Sequence, residues 1–369
     1  MVGLLWNPTL AKRSTLTSED KYIAFDVHQA MTVVSVVNAA GREVNTAILP
    51  TQAQALLGFV EGLRGRLHLT LEEGTYAAWL YDLLQGRVGE LVVCDPRRNA
   101  LLKEGSKTDR HDARKLADLL RTGMLRAVYH GERSLRNLQE LAHCYQALVQ
   151  DTTRVMNRIK AFYRSHGIDC AGRGVYSRKQ RESWLVRLPA GASRVRGELL
   201  HDQLEQLRSL RRRARHELLA ESRRYTVAAR LRGVPGFGPV RVALLIAGMQ
   251  TPCRFRTRSK LWSYAGLGLV QKGSSEYRLV EGRAVRRPGA LQLRGLNRNR
   301  RAGLKEIFKS AALAAIRQPG PFKDYYQSRL QRGVDPAILR VSVARKLAAL
   351  VLSLWKKGGR YRAEGMKQA

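Results

Sequence analysis

Alternating apolar and polar positions first appear at Tyr22. Tyr22-Ile-Ala-Phe-Asp-Val-His, Thr32-Val-Val-Ser-Val-Val-Asn and Glu43-Val-Asn-Thr-Ala-Ile-Leu are short β-branched stretches separated by turn residues, and they predict a meander of three strands. The spacing then predicts an amphipathic helix over 51–64 and a strand over 67–72 with Leu67, Leu69 and Leu71 on one face. A helix over 76–84 follows, then a strand from Leu91 to Asp95 that Pro96 stops, a basic loop, and a helix over 109–123. Three strands followed by helix, strand, helix, strand, helix is an α/β order with a mixed central sheet.

From Leu138 the period changes. Leu138, Leu141, Tyr145, Leu148, Thr152, Val155, Ile159 and Phe162 recur at spacings of three and four, a heptad seam, with Arg154, Arg158, Lys160 and Arg164 on other faces. Residues 170–195 read as a connector broken by Gly, Ser and Pro, and 196–230 as a second helical run. Two such segments make an antiparallel hairpin, a dimer seam or a helical core element. The last third opens with Gly233-Val-Pro-Gly-Phe-Gly-Pro-Val, a hairpin between helical segments of helix-hairpin-helix type. In such an element glycines (here Gly236 and Gly238) let backbone N–H groups approach phosphate, and the following helix N-terminus favours an anion. The plain alternative is a tight helix turn. A helix end at Trp262-Ser-Tyr-Ala-Gly-Leu, a Gly273-Ser-Ser275 loop and an arginine- and glycine-dense stretch over 283–301 precede helical pattern at 304–316 and 336–354.

The chain has 369 residues, with 66 Lys and Arg against 30 acidic residues and a formal net charge of +36. Such a field suits nucleic acid, because neutralised phosphates release counterions. Charge alone does not separate an enzyme from a packing protein. The 44% hydrophobic content argues for a folded enzyme rather than a disordered tail. Four cysteines form no Cys-x-x-Cys pair and read as reduced thiols. With neither a signal-peptide pattern nor a membrane-length apolar run, a cytoplasmic protein is expected. The pattern divides the chain into domains at 20–130, 131–230 and 231–369.

Cutting a phosphodiester commonly uses two metal ions, and Mg²⁺ needs only a few carboxylates from different elements. Asp109 and Asp112 share a helix face at i, i+3. Helix capping by Thr108 or Asp109, and a first-turn role for Asp112, compete with metal binding. Asp26 is a poor strand residue among Ile23, Phe25 and Val27. Glu72 continues the polar face opposite Leu67-Leu69-Leu71, with Glu73 the adjacent alternative.

Phe25-Asp26-Val27, Leu71-Glu-Glu-Gly-Thr75, Val93-Cys-Asp-Pro96 and Lys107-Thr-Asp-Arg-His-Asp-Ala-Arg-Lys-Leu-Ala117 resemble the DEDD transposases of the insertion-sequence one-ten family, kin of the Piv invertases. Gly233-Val-Pro-Gly-Phe-Gly-Pro-Val, Ser263-Tyr-Ala-Gly-Leu267 and the Gly-Ser-Ser loop resemble that family's C-terminal domain, so the resemblance covers nearly the whole chain. It implies a ribonuclease-H- or RuvC-like N-terminal domain, a coiled-coil middle and a mainly α C-terminal domain carrying a nucleophilic serine. It further implies Mg²⁺ on Asp26, Glu72, Asp109 and Asp112, a covalent link from Ser274 to DNA, and guidance by an RNA encoded in the element's flank. Lys272, Arg278, Arg298 and Arg300 are then candidates to hold the strands. The chain departs from the family pattern at Ser275, usually glycine, and at Gly266-Leu-Gly-Leu269, which lacks a common proline. Ser275 is therefore an alternative to Ser274. A dimer or tetramer is expected from the seam. The competing readings are a RuvC-like nuclease using metal-activated water and a non-enzymatic nucleic-acid binder. His28 and His111, beside the acids, are assigned no role.

Overall fold

The computed structural model describes residues 20–96, 108–131, 135–272, 276–280, 283–287, 292–297 and 300–363. They fall into two compact units, divided after His130.

In the first unit, the three-strand meander is β1 (Asp20–Val27), β2 (Met31–Asn38) and β3 (Glu43–Pro50), followed by α1 (Ala53–Glu61), β4 (Arg66–Glu72), α2 (Ala77–Leu84), β5 (Glu90–Cys94) and α3 (Asp109–Arg121). One mixed sheet has the order β3-β2-β1-β4-β5. β1, β2 and β3 pair antiparallel, while β1–β4 and β4–β5 are parallel. Strand alternation sorts the side chains between the faces. Ile23, Phe25, Leu67, Leu69 and Leu71 pack with Leu56, Val60, Leu80 and Leu84 from α1 and α2. The opposite face brings Tyr22, Ala24, Val37 and Cys94 against Leu116, Ala117 and Leu120 of α3. Each fully buried leucine contributes about 1.5–3 kcal/mol of transfer free energy.

The second unit is mainly helical: α4 (Arg136–Ser165), α5 (Arg181–Leu185), α6 (Ala192–Ser222), α7 (Thr226–Leu231), α8 (Pro239–Met249), α9 (Arg258–Tyr264), α10 (Ala302–Ala315), α11 (Pro321–Gln331) and α12 (Pro336–Lys357). The heptad-bearing segment and its partner form an antiparallel hairpin within the chain. Tyr163 Oη and His201 Nε2 lie 3.2 Å apart at one end, and Leu138, Ala142 and Leu218 share a core at the other. The expected connector at 170–195 is a packed cap, since Cys170, Val175, Tyr176, Leu185 and Leu188 are buried against α4 and α6. The expected run over 196–230 is two helices, interrupted at Arg223–Tyr225.

Between α9 and α10 lie β6 (Leu269–Lys272), β7 (Glu276–Val280), β8 (Arg283–Arg287) and β9 (Gln292–Leu296), paired as β6–β9 and β7–β8. Hydropathy pattern misses these strands because they are short and interspersed with Lys272, Arg278, Arg283, Arg286, Arg287 and Arg294. It also misses α11, which sits behind a Pro319-Gly-Pro321 sequence that reads as a turn; there Pro321 takes the first helical position, where its absent N–H costs nothing. The four cysteines are free thiols. Among the described residues, no helix is long and apolar enough to cross a membrane.

Candidate active site

Two parallel strands and one helix terminus build the acidic site. The β1–β4 register sets Phe25 opposite Leu71. The next residues, Asp26 and Glu72, therefore stand side by side where the strands end, the usual place for ligands in an open α/β sheet. Both continue the alternation of residues facing α3: Tyr22 and Ala24 lead to Asp26, His68 and Thr70 to Glu72. Glu73 alternates away and pairs with His130 Nε2 at 2.7 Å.

Helix α3 starts beneath these strand ends. Thr108 is its N-cap, its hydroxyl accepting from the His111 N–H at 3.4 Å. Capping and an acidic role thus fall on different residues, which leaves Asp109 in the first turn with its carboxylate available. Ala113, Leu116, Ala117 and Leu120 anchor the helix face against the sheet, and Asp109 and Asp112 extend that stripe. Both acids gain from the positive helix end.

Among the described residues, one set of acidic, histidine or cysteine side chains brings three donor atoms within 4.8 Å of one another: Asp26, His28 and Asp109. His28 Nε2 lies 3.4 Å from Asp26 Oδ2 and 3.7 Å from Asp109 Oδ2. The side chain of Asp26 is 22% exposed, and that of Asp109 67%. Glu72 and Asp112 flank the trio without belonging to it. Two carboxylates and an imidazole on separate elements are a suitable donor set for a divalent cation with open positions for water and phosphate. His28 carried no pattern in the sequence beyond its nearness to Asp26; its part in the trio follows from the turn that folds it back over the strand end.

Beside the trio, an open groove of about 560 Å³ runs between edge strand β3 and the start of α3, with Asn45, Thr46, Arg110, His111 and Arg114 in its walls. Arginines at this position are suited to phosphate.

In the second unit, the glycine hairpin joins α7 to α8. Gly236 has φ +83°, and a Cβ there would overlap the Ala311 carbonyl oxygen. Its missing side chain therefore serves close packing on α10. Arg241 fixes the turn by donating from Nη1 to the Gly236 carbonyl at 2.9 Å and from Nε to Ser310 Oγ at 3.0 Å. Gly238, at the N-cap of α8, has open space around it and leaves that helix end accessible.

The Ser-Tyr-Ala-Gly-Leu segment is braced by cations. Burial pushes the Tyr264 phenol up, but Arg254 and Arg301 outweigh it and hold the phenol below its ordinary value. Arg254 Nη2 donates to Tyr264 Oη at 3.2 Å, and Arg345 Nε to the Leu267 carbonyl at 2.6 Å. Lys272 ends β6, and Arg278 lies within β7. Arg300 is exposed, its stem lying over Gly266. Ser274, Ser275 and Arg298 lie outside the described residues.

A family model for DEDD transposases of the IS110 type, described as "Transposase", matches residues 23–166, and a second, described as "Transposase IS116/IS110/IS902 family", matches residues 228–327. The chain belongs to the IS110-family DEDD transposases. It is an enzyme that cleaves and recombines DNA. The first match spans the acidic site and all of α4; the second spans the glycine hairpin and the strand pairs. No curated protein matches the chain. A DEDD transposase implies a divalent metal, and the Asp26–His28–Asp109 set fits one.

Proposed function

We propose that this transposase moves an insertion sequence by breaking and rejoining DNA through a covalent serine–DNA intermediate, with Mg²⁺ held by Asp26, Glu72, Asp109 and Asp112. The observation that carries the reading is the convergence of Asp26 and Asp109 from a strand end and a helix start. When bound, the metal would supply positive charge that offsets the phosphate oxygens and the charge developing on the leaving oxygen. The carboxylates hold it, and Thr108 fixes the helix turn that presents Asp109.

Ser274 is the nucleophile of this reading, Ser275 the neighbour that competes with it. The Ser274 Oγ gives up its proton and forms a bond to phosphorus as the bond from phosphorus to the leaving deoxyribose oxygen breaks, and that oxygen takes up a proton in turn. Attack by the incoming strand's hydroxyl reverses the step and frees the serine. One ester replaces another, so joining requires no external energy source. Gly238, Lys272, Arg278, Arg298 and Arg300 contact the DNA backbone. Gly236 is retained as part of the hairpin that presents Gly238.

A guide RNA from the element's flank reads target and donor DNA by pairing, and the net charge of +36 is suited to holding both nucleic acids by their phosphates. The transposase acts as a homodimer or tetramer. Exposed Val195, Leu199 and Leu210 along α6 support that assembly.

The test incubates purified transposase with labelled element ends and flanking RNA, then seeks a denaturant-resistant adduct. The expected outcome is an adduct that Ser274→Ala removes together with strand joining. Cleavage without an adduct would instead indicate hydrolysis by water, the RuvC-nuclease reading. Protein that carries no RNA yet recombines DNA would remove guidance from the reading.

A further inference from the structure

We propose that His28 coordinates the metal through Nε2, so that the centre offers one imidazole nitrogen beside its carboxylates. The inference rests on the metal-site reading above and adds a residue outside the four acids.

Distance is the first argument. At 3.4 Å and 3.7 Å from the two carboxylate oxygens, Nε2 is farther than the 2.7–2.9 Å typical of a charge-assisted hydrogen bond. Adjacent donors about 2.1 Å from one octahedral ion lie roughly 3 Å apart, and opposite ones roughly 4 Å. The two separations of the imidazole nitrogen from the carboxylate oxygens fall between those values. The imidazole is spaced as a neighbour around a shared centre rather than as a closed ion pair.

The second argument is how the histidine is held. Its N–H donates to the Met31 carbonyl at 3.0 Å, and its own carbonyl accepts from Thr51 Oγ1 at 2.9 Å. Thr51 Oγ1 is in turn 2.9 Å from Oγ1 of the buried Thr32. The backbone is thus pinned on both sides, while the ring stays 49% exposed and reachable by a hydrated ion. His68 and His130 of the same unit differ: each has a ring nitrogen 2.7 Å from a glutamate and little exposure.

Imidazole suits borderline transition metals better than it suits Mg²⁺. The site should therefore take Co²⁺ with an affinity that His28 raises, and Mg²⁺ with an affinity that depends mainly on the carboxylates.

The test loads the full-length protein with Mn²⁺ and records nitrogen coupling by pulsed electron paramagnetic resonance. Co²⁺ and Mg²⁺ affinities are measured alongside for the parent, His28→Gln and Asp26→Asn. An imidazole coupling that His28→Gln abolishes is expected, with Co²⁺ binding at least about tenfold weaker and Mg²⁺ binding less affected. Bound Mn²⁺ with no imidazole coupling, lost on Asp26→Asn and unchanged in His28→Gln, would overturn this inference and leave the carboxylate site standing. Absence of Mn²⁺ binding that depends on Asp26 would overturn both.

Discussion

His68 Nδ1 lies 2.7 Å from Glu90 Oε2, joining the parallel neighbours β4 and β5. The other ring nitrogen is 3.4 Å from the buried Asp20 at the start of β1, so one imidazole ties three strands at the sheet end opposite Asp26 and Glu72. The hydrogen bond to Glu90 raises the His68 pKa against the opposing effect of burial, and the hydrogen bond to His68 lowers that of Glu90.

Stability of the first unit should follow that pair. A raised histidine contributes fully below its unfolded value near 6.5 and loses the contribution as pH rises through the folded value. A depressed glutamate contributes fully above its unfolded value near 4.5 and loses it as pH falls through the folded value. The advantage of the parent over Glu90→Gln is therefore expected to be largest between pH 4.5 and 6.5. It should be about 1 kcal/mol there, since Glu90 is partly exposed. Denaturant midpoints of both proteins across pH 4–9 check it; a difference that grows toward pH 9 would exclude the clamp.

Glu72 and Glu73 should separate cleanly in activity. Glu72→Gln removes a carboxylate from the face that carries Asp26 and is expected to slow metal-dependent strand cleavage about 10²–10³-fold, the loss of several kcal/mol of charge stabilisation. Glu73→Gln loses only its contact with His130 and should stay within a few-fold of the parent. Cleavage rates at saturating metal decide between them.

Gly236→Ala is expected to destabilise the second unit by about 2–4 kcal/mol, because it forces a Cβ into the Ala311 carbonyl at a left-handed φ. Gly238→Ala, at φ −73° with open space around it, should cost no more than about 1 kcal/mol. Thermal melts of the two variants rank them; equal effects would show that packing against α10 is not what the first glycine provides.

DNA affinity should fall steeply with salt. Removing one phosphate contact, as in Arg300→Ala or Arg278→Ala, is expected to reduce the slope of log affinity against log salt by about 1 and to weaken binding alike for every sequence tested. Titrations at several salt concentrations on two unrelated duplexes check this; a sequence-dependent loss would indicate base contact.

Much of the first unit was legible along the chain. Strand alternation at Tyr22, Thr32, Glu43 and Leu67 and the proline after β5 marked the sheet, because an element with one buried face writes its period into the sequence. The same period put Asp26 and Glu72 on the strand faces opposite Ile23, Phe25, Leu69 and Leu71. The strands over 276–296 escaped because they are short and interspersed with arginines, and α11 escaped behind its two prolines.

The sequence by itself determined the local periods of the first unit's strands and helices, and that Asp109 and Asp112 lie together at a helix start. Only the tertiary structure decided which faces meet. Parallel pairing of β1 with β4, strands separated by almost forty residues, set Asp26 beside Glu72, and packing of α3 on that sheet face brought Asp109 to Asp26. The β1–β2 turn added His28, which local pattern leaves silent. Local periodicity is set by backbone geometry and burial, whereas convergence depends on long-range register, and no short stretch of chain carries that.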